Sequence, residues 1–167
     1  MIAFPPSACA VTDHGKVVSW DPSGILAALD AGLIPVVYGD VVLDRSMGGT
    51  ILSTEDVFNY LAQELDPDRI LLAGLERGVW ADFPECTTLY DLITPADKER
   101  ITGSLKGSIA VDVTGGMADK VSGLLDLVAT HAQLEGMIFS GEGEGQIARA
   151  LEGTILGTLI RGSPSKE

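Results

Sequence analysis

Cysteine is scarce: Cys9 and Cys86 are the only two in 167 residues. They lie far apart with no metal-ligand spacing, so the expectation is two free thiols in a reducing compartment. Basic residues are few. Eleven Lys and Arg stand against 24 Asp and Glu, a net charge of −13. That opposes general nucleic-acid binding, which depends on Lys and Arg neutralising phosphates. Long apolar runs are absent, and nothing approaches the ~20 residues of a membrane span. Residues 1–10 lack a basic start and an apolar core, so no signal peptide is expected. These absences together predict a cytoplasmic protein with an acidic, solvated surface. Aromatics make up 5% of the chain, yet 46% of it is hydrophobic. That content predicts a folded chain, and the length suits one domain.

The apolar pattern alternates between the two regular periods. Val11 to Ser19, with a turn at Asp13-His14-Gly15, reads as a hairpin or short strand pair. Asp21-Pro22 opens a helix whose buried stripe is Ile25, Leu26 and Leu29 and which Gly32 ends. Leu33 to Tyr38 is a continuous apolar run, as in a strand covered on both faces. Val41 to Leu43 and Thr50 to Leu52 form a hairpin around a glycine-containing loop. Ser53 then caps a helix, with Asp56 three residues on as capping-box partner. Its inner face is Val57, Tyr60, Leu61 and Leu65. Arg69 to Ala73 and Met137 to Phe139 read as further buried strands. Thr94-Pro95 starts a short helix, Gly145 to Leu151 makes another, and Thr154 to Ile160 a last strand. Strands alternating with helices predict an α/β fold. Its form is a three-layer sandwich, a mainly parallel sheet with helices on both faces. Three strands stop at glycines, Gly39, Gly74 and Gly141. In such sheets ligands bind at the carboxyl ends of strands.

The chain is organised around Asp112-Val113-Thr114-Gly115-Gly116-Met117-Ala118-Asp119-Lys120. An apolar run leads in, and a helix with Val121, Leu124, Leu125 and Val128 on one face follows. A helix start leaves about four N–H groups unpaired and carries roughly half a positive charge. Glycines let a phosphate approach those groups closely. Lys120 leans back toward the same point. The plainer reading is that Asp112 or Thr114 only caps the helix. The spacing is not that of a P-loop.

Four stretches together resemble the amino-acid kinase superfamily. They are Asp112 to Val121; Gly32 through Tyr38-Gly39-Asp40-Val41; Leu71-Leu72-Ala73-Gly74 through Gly78-Val79-Trp80; and Phe139-Ser140-Gly141 through Gly153-Thr154 and Gly157-Thr158. The first is similar to the signature of the isopentenyl phosphate kinase branch. The resemblance implies an amino-acid kinase (carbamate kinase-like) fold. It makes residues 1–162 a partial nucleotide-binding domain, followed by a polar tail at 163–167. It implies ATP and Mg²⁺ as cofactors and a small phosphorylated acceptor, isopentenyl phosphate, converted to the diphosphate. A homodimer is expected as well, because a missing segment would leave apolar sheet surface uncovered, and no nucleic-acid or membrane partner is expected.

Residue by residue, the resemblance implies that Gly115, Gly116 and Lys120 hold ATP phosphates. Gly74, Gly78, Val79, Trp80, Asp82 and Pro84 form the nucleotide-side loop. Lys120 and Asp56 form the catalytic centre, and Gly39 and Asp40 border the acceptor. Asp56 has two readings, a helix-start residue or the carboxylate that positions the phosphate-binding lysines. Trp80 also has two, stacking near the base or packing in the core. The loop departs from its relatives. They usually show Asp-Val-Asp before Gly-Val-Tyr, whereas this chain has Leu75-Glu76-Arg77 before Gly78-Val79-Trp80. Two family motifs are missing as well: an N-terminal strand with a lysine and two glycines, and a glycine-rich loop ending in a histidine. The expectation is a chain starting partway through the usual one, either a fragment or a shortened member. Without those motifs the alternative is a nucleotide-binding or interaction module without catalysis. His14 and His131 lie outside the four stretches, and no protein metal site is expected.

Overall fold

A computed structural model describes residues 1–101 and 116–162. The chain divides into two compact units, Met1–Asp66 and Pro67–Glu167.

The first unit holds strands β1 (Ile2–Ala3), β2 (Ala10–Asp13), β3 (Lys16–Trp20), β4 (Pro35–Val36), β5 (Asp40–Asp44) and β6 (Gly48–Leu52). Helices α1 (Ser23–Asp30) and α2 (Thr54–Leu65) complete it. β1 pairs with β4 in parallel, and a four-stranded sheet runs in the order β3-β2-β5-β6. The predicted hairpins are both present, as β2–β3 and β5–β6. Pro22 sits at the N-cap of α1, and Asp21 Oδ1 accepts from Ser23 N at 2.9 Å. The capping box of α2 is formed in both directions between Ser53 and Asp56. Apolar residues at helical and strand spacing close the core: Ala10, Trp20, Ile25, Val42, Leu52 and Val57. Trp20 stacks on Tyr60, with centroids 5.4 Å apart.

Leu33 to Tyr38 departs from expectation. Only Pro35–Val36 pairs as a strand, and Ile34 is 63% exposed. An apolar run reports its hydropathy, not whether a neighbour covers it.

Asp44 is the structural hub of this unit. Its side chain is buried and accepts four hydrogen bonds. The donors are Thr12 Oγ1 at 2.8 Å, Gly15 N at 2.8 Å, Ser46 N at 3.0 Å and Met47 N at 2.8 Å. One carboxylate therefore pins both hairpin turns. The Gly15 N–H is the leading reason that its carboxyl sits far below the ordinary range, with Met47, Thr12 and Ser46 adding to it. A depressed carboxyl contributes stability above the unfolded-state pKa of about 3.9, and loses it as pH falls below that value. Asp44→Asn is expected to lower the urea midpoint clearly at pH 7, with the gap to wild type closing as pH drops toward 2.

The second unit holds β7 (Arg69–Gly74), β8 (Leu92–Ile93), α3 (Gly116–Thr130), β9 (Glu135–Ser140), α4 (Gln146–Leu151) and β10 (Thr158–Arg161). Its sheet order is β7-β9-β10-β8. β7 and β9 are parallel over six residue pairs, from Arg69↔Glu135 to Gly74↔Ser140. β10 runs antiparallel to β9 and parallel to β8. Across the two units parallel and antiparallel pairings both occur, so this α/β fold has mixed sheets flanked by helices. The expected stripe of α3 is buried: Val121, Leu124, Leu125 and Val128, together with Leu127. Gly136 of β9 lets that helix approach, since a Cβ there would meet Leu124 Cδ1 at 3.0 Å. Arg69 donates to the carbonyls of Ala150 at 3.1 Å and Leu151 at 2.8 Å at the end of α4, where Ala150 O also accepts from Gly153 N at 3.1 Å.

Candidate active site

The first unit carries the residues expected beside the acceptor. Gly39 precedes β5 and lies against the start of α2. A Cβ on Gly39 would come within 3.1 Å of Thr54 N, 3.2 Å of Leu52 O and 3.3 Å of Thr54 Oγ1. A side chain does not fit there without displacing the helix start. Gly39 and the first turn of α2 are therefore brought together. Asp56 lies in that turn and is exposed. Its Oδ2 accepts from Ser53 N at 3.2 Å and Ser53 Oγ at 2.7 Å, and its own N–H donates to Ser53 Oγ at 3.1 Å. Asp56 thus has the helix-start role in full. Asp40 faces a different task. Its Oδ2 accepts from Ser7 N at 3.0 Å and its Oδ1 from Val41 N at 2.9 Å. Hydrogen bonding from Ser7 holds its carboxyl below the usual range. Asp40 fixes the 3-10 turn at Pro6–Ala8 through this bond.

The second unit carries the residues expected beside ATP. β7 and β9 end side by side, and Gly141 N donates to Gly74 O at 2.8 Å. No described atom lies within 4 Å of where a Cβ on Gly74 would stand. The carboxyl end of β7 is therefore open at Gly74, whereas at Gly141, just past the end of β9, a Cβ would meet Ala73 Cβ at 3.2 Å and Ile147 Cδ1 at 3.3 Å. Carboxyl edges of this kind are where ligands bind in open α/β sheets.

Gly78 to Pro84 leads into a hairpin closed by Tyr90 N to Val79 O at 2.9 Å, Ala81 N to Thr88 O at 2.8 Å and a bridge between Trp80 and Leu89. Thr158 of β10 anchors it. The Thr158 hydroxyl is buried and accepts from Val79 N at 2.8 Å. A Cβ on Gly78 would stand 2.7 Å from that oxygen, so only glycine allows this approach. Val79 is fully buried, and both its backbone polar groups are bonded within the unit. Trp80 is half-buried, and its Nε1 donates to Glu76 Oε2 at 2.7 Å. Glu76 belongs to the stretch that departs from the relatives. Asp82 accepts from the Thr87 hydroxyl, from Thr87 N at 3.1 Å and from Thr88 N at 3.0 Å. The Thr87 hydroxyl is the main reason its carboxyl sits below the usual range, followed by Thr88 N–H. Asp82 thus ties the turn that holds Pro84.

α3 begins at Gly116, with φ at +41°, a conformation that suits glycine. Among the described residues nothing approaches the position of a Gly116 Cβ. Lys120 is half-buried one turn into this 15-residue helix. Gly115, Asp112 and Thr114 lie outside the described residues, so the bend expected to grip phosphate is described only from Gly116 onward.

Sequence reasoning missed three partners: Thr158, Glu76 and Asp44. Thr158 sits beside Gly157 in a quoted stretch, but its partner Val79 is 79 residues away. Glu76 stood out only as a departure, and Asp44 looked like an ordinary loop acid.

Residues 2–140 match the profile of the amino acid kinase family. Isopentenyl phosphate kinase from Methanothermobacter thermautotrophicus is 35% identical over 167 residues, covering 96% of this chain and 61% of its own length. The isopentenyl phosphate kinase of Methanocaldococcus jannaschii is 35% identical over 162 residues, covering 95% and 57%. A crystallographically determined isopentenyl phosphate kinase superposes with a TM-score of 0.73 at 30% identity, over 95% of this chain and 58% of that one. The chain thus spans about three-fifths of the length of the curated relatives it matches. The profile match, these relatives and the fold agree: the chain belongs to the amino acid kinase family and is closely related to its isopentenyl phosphate kinases.

Proposed function

We propose that this chain works in ATP-dependent phosphorylation of a small phosphorylated acceptor, moving the γ-phosphoryl of ATP onto the phosphate of isopentenyl phosphate to give the diphosphate. The observation that carries the reading is the paired edge of β7 and β9. There Gly74 leaves its backbone uncovered and a hairpin pinned by Thr158 rises beside it. The 35% identity to isopentenyl phosphate kinases supports the choice of acceptor.

In this reading the second unit holds the nucleotide. Gly74, Gly78, Val79, Trp80, Asp82 and Pro84 shape the side that meets base and ribose, and Gly115, Gly116 and Lys120 meet the phosphates. Gly39 and Asp40 border the acceptor, and Asp56 belongs to the catalytic centre. Phosphoryl transfer is mostly positioning and charge neutralisation, so backbone N–H groups and one lysine are suited to it. Mg²⁺ usually keeps several waters and few protein ligands, so in this reading it would be carried on the nucleotide phosphates and water. Bound there, Mg²⁺ would neutralise phosphate charge. The domain comprises residues 1–162, the acting form is a homodimer, and the compartment is the cytoplasm.

The test is turnover of isopentenyl phosphate with ATP, followed by phosphorus NMR. It is run on this chain and on the product of the longest reading frame that contains it. Formation of the diphosphate in either supports the reading, and none in both overturns it. A second reading is nucleotide binding without transfer. ATP binding without turnover in both chains is its signature.

A further inference from the structure

In the hairpin that follows β7, most polar groups that could read a ligand are engaged by the hairpin itself. Val79 N donates to the Thr158 hydroxyl, Val79 O accepts from Tyr90 N, and Ala81 N donates to Thr88 O. Asp82 uses both carboxylate oxygens on its own turn. Oδ1 takes Thr87 N and Thr88 N, and Oδ2 takes the Thr87 hydroxyl. Glu76 is different. It stands two residues past the open end of β7 at Gly74, and it is exposed. Its Oε2 accepts from Trp80 Nε1 at 2.7 Å, and no described residue donates to its other oxygen, Oε1.

That single bond makes the carboxylate a better receptor. A freely solvated glutamate loses rotamer freedom when it binds a ligand. Here Trp80 is half-buried and bridged to Leu89, so its N–H holds the carboxylate in place before any ligand arrives. The surroundings decide which part of a nucleotide can meet it. Burial first, and then the carboxylates of Glu76, Asp82 and Glu85, push the Cys86 thiol up, so three acids gather around one point of this hairpin. Phosphate oxygens are repelled there, and the uncharged nucleoside end is not. A carboxylate only accepts. On adenine the amino donor stands between two acceptor nitrogens, so a fixed carboxylate beside it also faces a lone pair. A ribose places two hydroxyl donors side by side, which suits an acceptor-only group.

We propose that Glu76 makes this site select ribonucleotides: its Oε1 accepts a hydrogen bond from a ribose hydroxyl of the bound nucleotide, with Trp80 as the positioning residue. The inference rests on the reading above of Gly74 to Pro84 as the side that meets base and ribose, and adds the sugar contact and the residue that makes it. It concerns a position where this chain departs from its relatives, since Leu75-Glu76-Arg77 stands where they usually show Asp-Val-Asp. A hydrogen bond to a charged acceptor corresponds to roughly 10- to 100-fold in affinity. Because the contact is to the sugar, it operates with or without phosphoryl transfer.

The test is titration calorimetry of the full chain, in Mg²⁺ buffer, with ATP, 2′-deoxy-ATP, 3′-deoxy-ATP and purine riboside triphosphate, which lacks the 6-amino group. Wild type is expected to bind at least one deoxy form roughly 10- to 100-fold more weakly than ATP. In Glu76→Ala that preference is expected to vanish. The ratio of affinities is the readout, because removing a negative charge shifts every triphosphate alike. Glu76 is exposed, and an unchanged urea midpoint shows that the variant is folded. Trp80→Phe keeps a ring and removes the N–H. It is expected to shrink the ribose preference, which a tryptophan acting only by packing would not do. The preference for ATP over purine riboside triphosphate is expected to be the same in wild type and Glu76→Ala. A wild-type chain that binds no ATP overturns the nucleotide reading and this contact together. ATP binding with no ribose preference in wild type, or with the same preference in folded Glu76→Ala, overturns the Glu76 contact alone. So does a Glu76→Ala effect confined to the 6-amino group.

Discussion

Lys120→Ala is expected to weaken ATP binding 10- to 100-fold, measured by titration calorimetry on the full chain. The reasoning begins with helix polarity. α3 runs from Gly116 to Thr130, long enough for a full set of aligned peptide dipoles. Side chains on a helix lean toward its N-terminus, so a lysine at the fifth position reaches back over the first turn. The buried stripe of Val121, Leu124, Leu125 and Val128 fixes the rotation of the helix and thereby the position of Lys120. A charge-assisted hydrogen bond to phosphate is worth about 1.5–3 kcal/mol, which is the stated range of affinity. Because the lysine would meet phosphates, the loss should be similar for ATP and ADP and absent for adenosine. High salt should narrow the gap between wild type and variant. Equal ATP affinity in the two proteins would return Lys120 to an ordinary helix position.

The parts of the fold legible in the sequence are those set by near neighbours. Ser53 and Asp56 stand three residues apart, and the capping box forms between them. The stripe of α3 repeats at helical spacing, and all four of its members are buried. Asp13-His14-Gly15 reads as a turn, and His14 and Gly15 both take positive φ there. What the sequence left obscure depends on distant partners. The run from Leu33 to Tyr38 has the composition of a central strand, yet only Pro35–Val36 pairs, with β1. Alternating strands and helices suggested a mainly parallel sheet. β10 instead enters antiparallel to β9, because a turn after α4 brings the chain back along the same strand. In the candidate site, Gly39 was legible as a strand-ending glycine, but its packing on Thr54 was not. Asp56 was legible as the capping-box partner of Ser53, whereas the bond from Ser7 N to Asp40 was not, because its partners lie 33 residues apart. A sequence motif names a residue without showing how many tasks it has.

Gly157→Ala is expected to cost about 3 kcal/mol or more, enough to unfold much of the second unit at 25 °C. Gly157 lies just before β10, where three backbone segments converge. A Cβ there would overlap the carbonyl oxygen of Ile138, stand 2.6 Å from the carbonyl oxygen of Arg77 and stand 2.9 Å from Phe139 Cα. None of these is the end of a flexible side chain. Relief would need movement of β9 or of the segment after β7, both in the same sheet. Moving either would also pull Thr158 from Val79 N, leaving a buried donor unpaired at a cost of about 1–3 kcal/mol. A domain of this size is stable by only about 5–15 kcal/mol, so the loss is a large share of the total. Urea unfolding followed by circular dichroism measures it. Gly74→Ala is the matched control: the same substitution, where no described atom lies within 4 Å of the new carbon. It is expected to leave the urea midpoint nearly unchanged. A Gly157→Ala protein as stable as Gly74→Ala would mean that the backbone around β10 is looser than these distances require. The hairpin carrying Trp80 would then lack the rigid support from which a nucleotide site could be built.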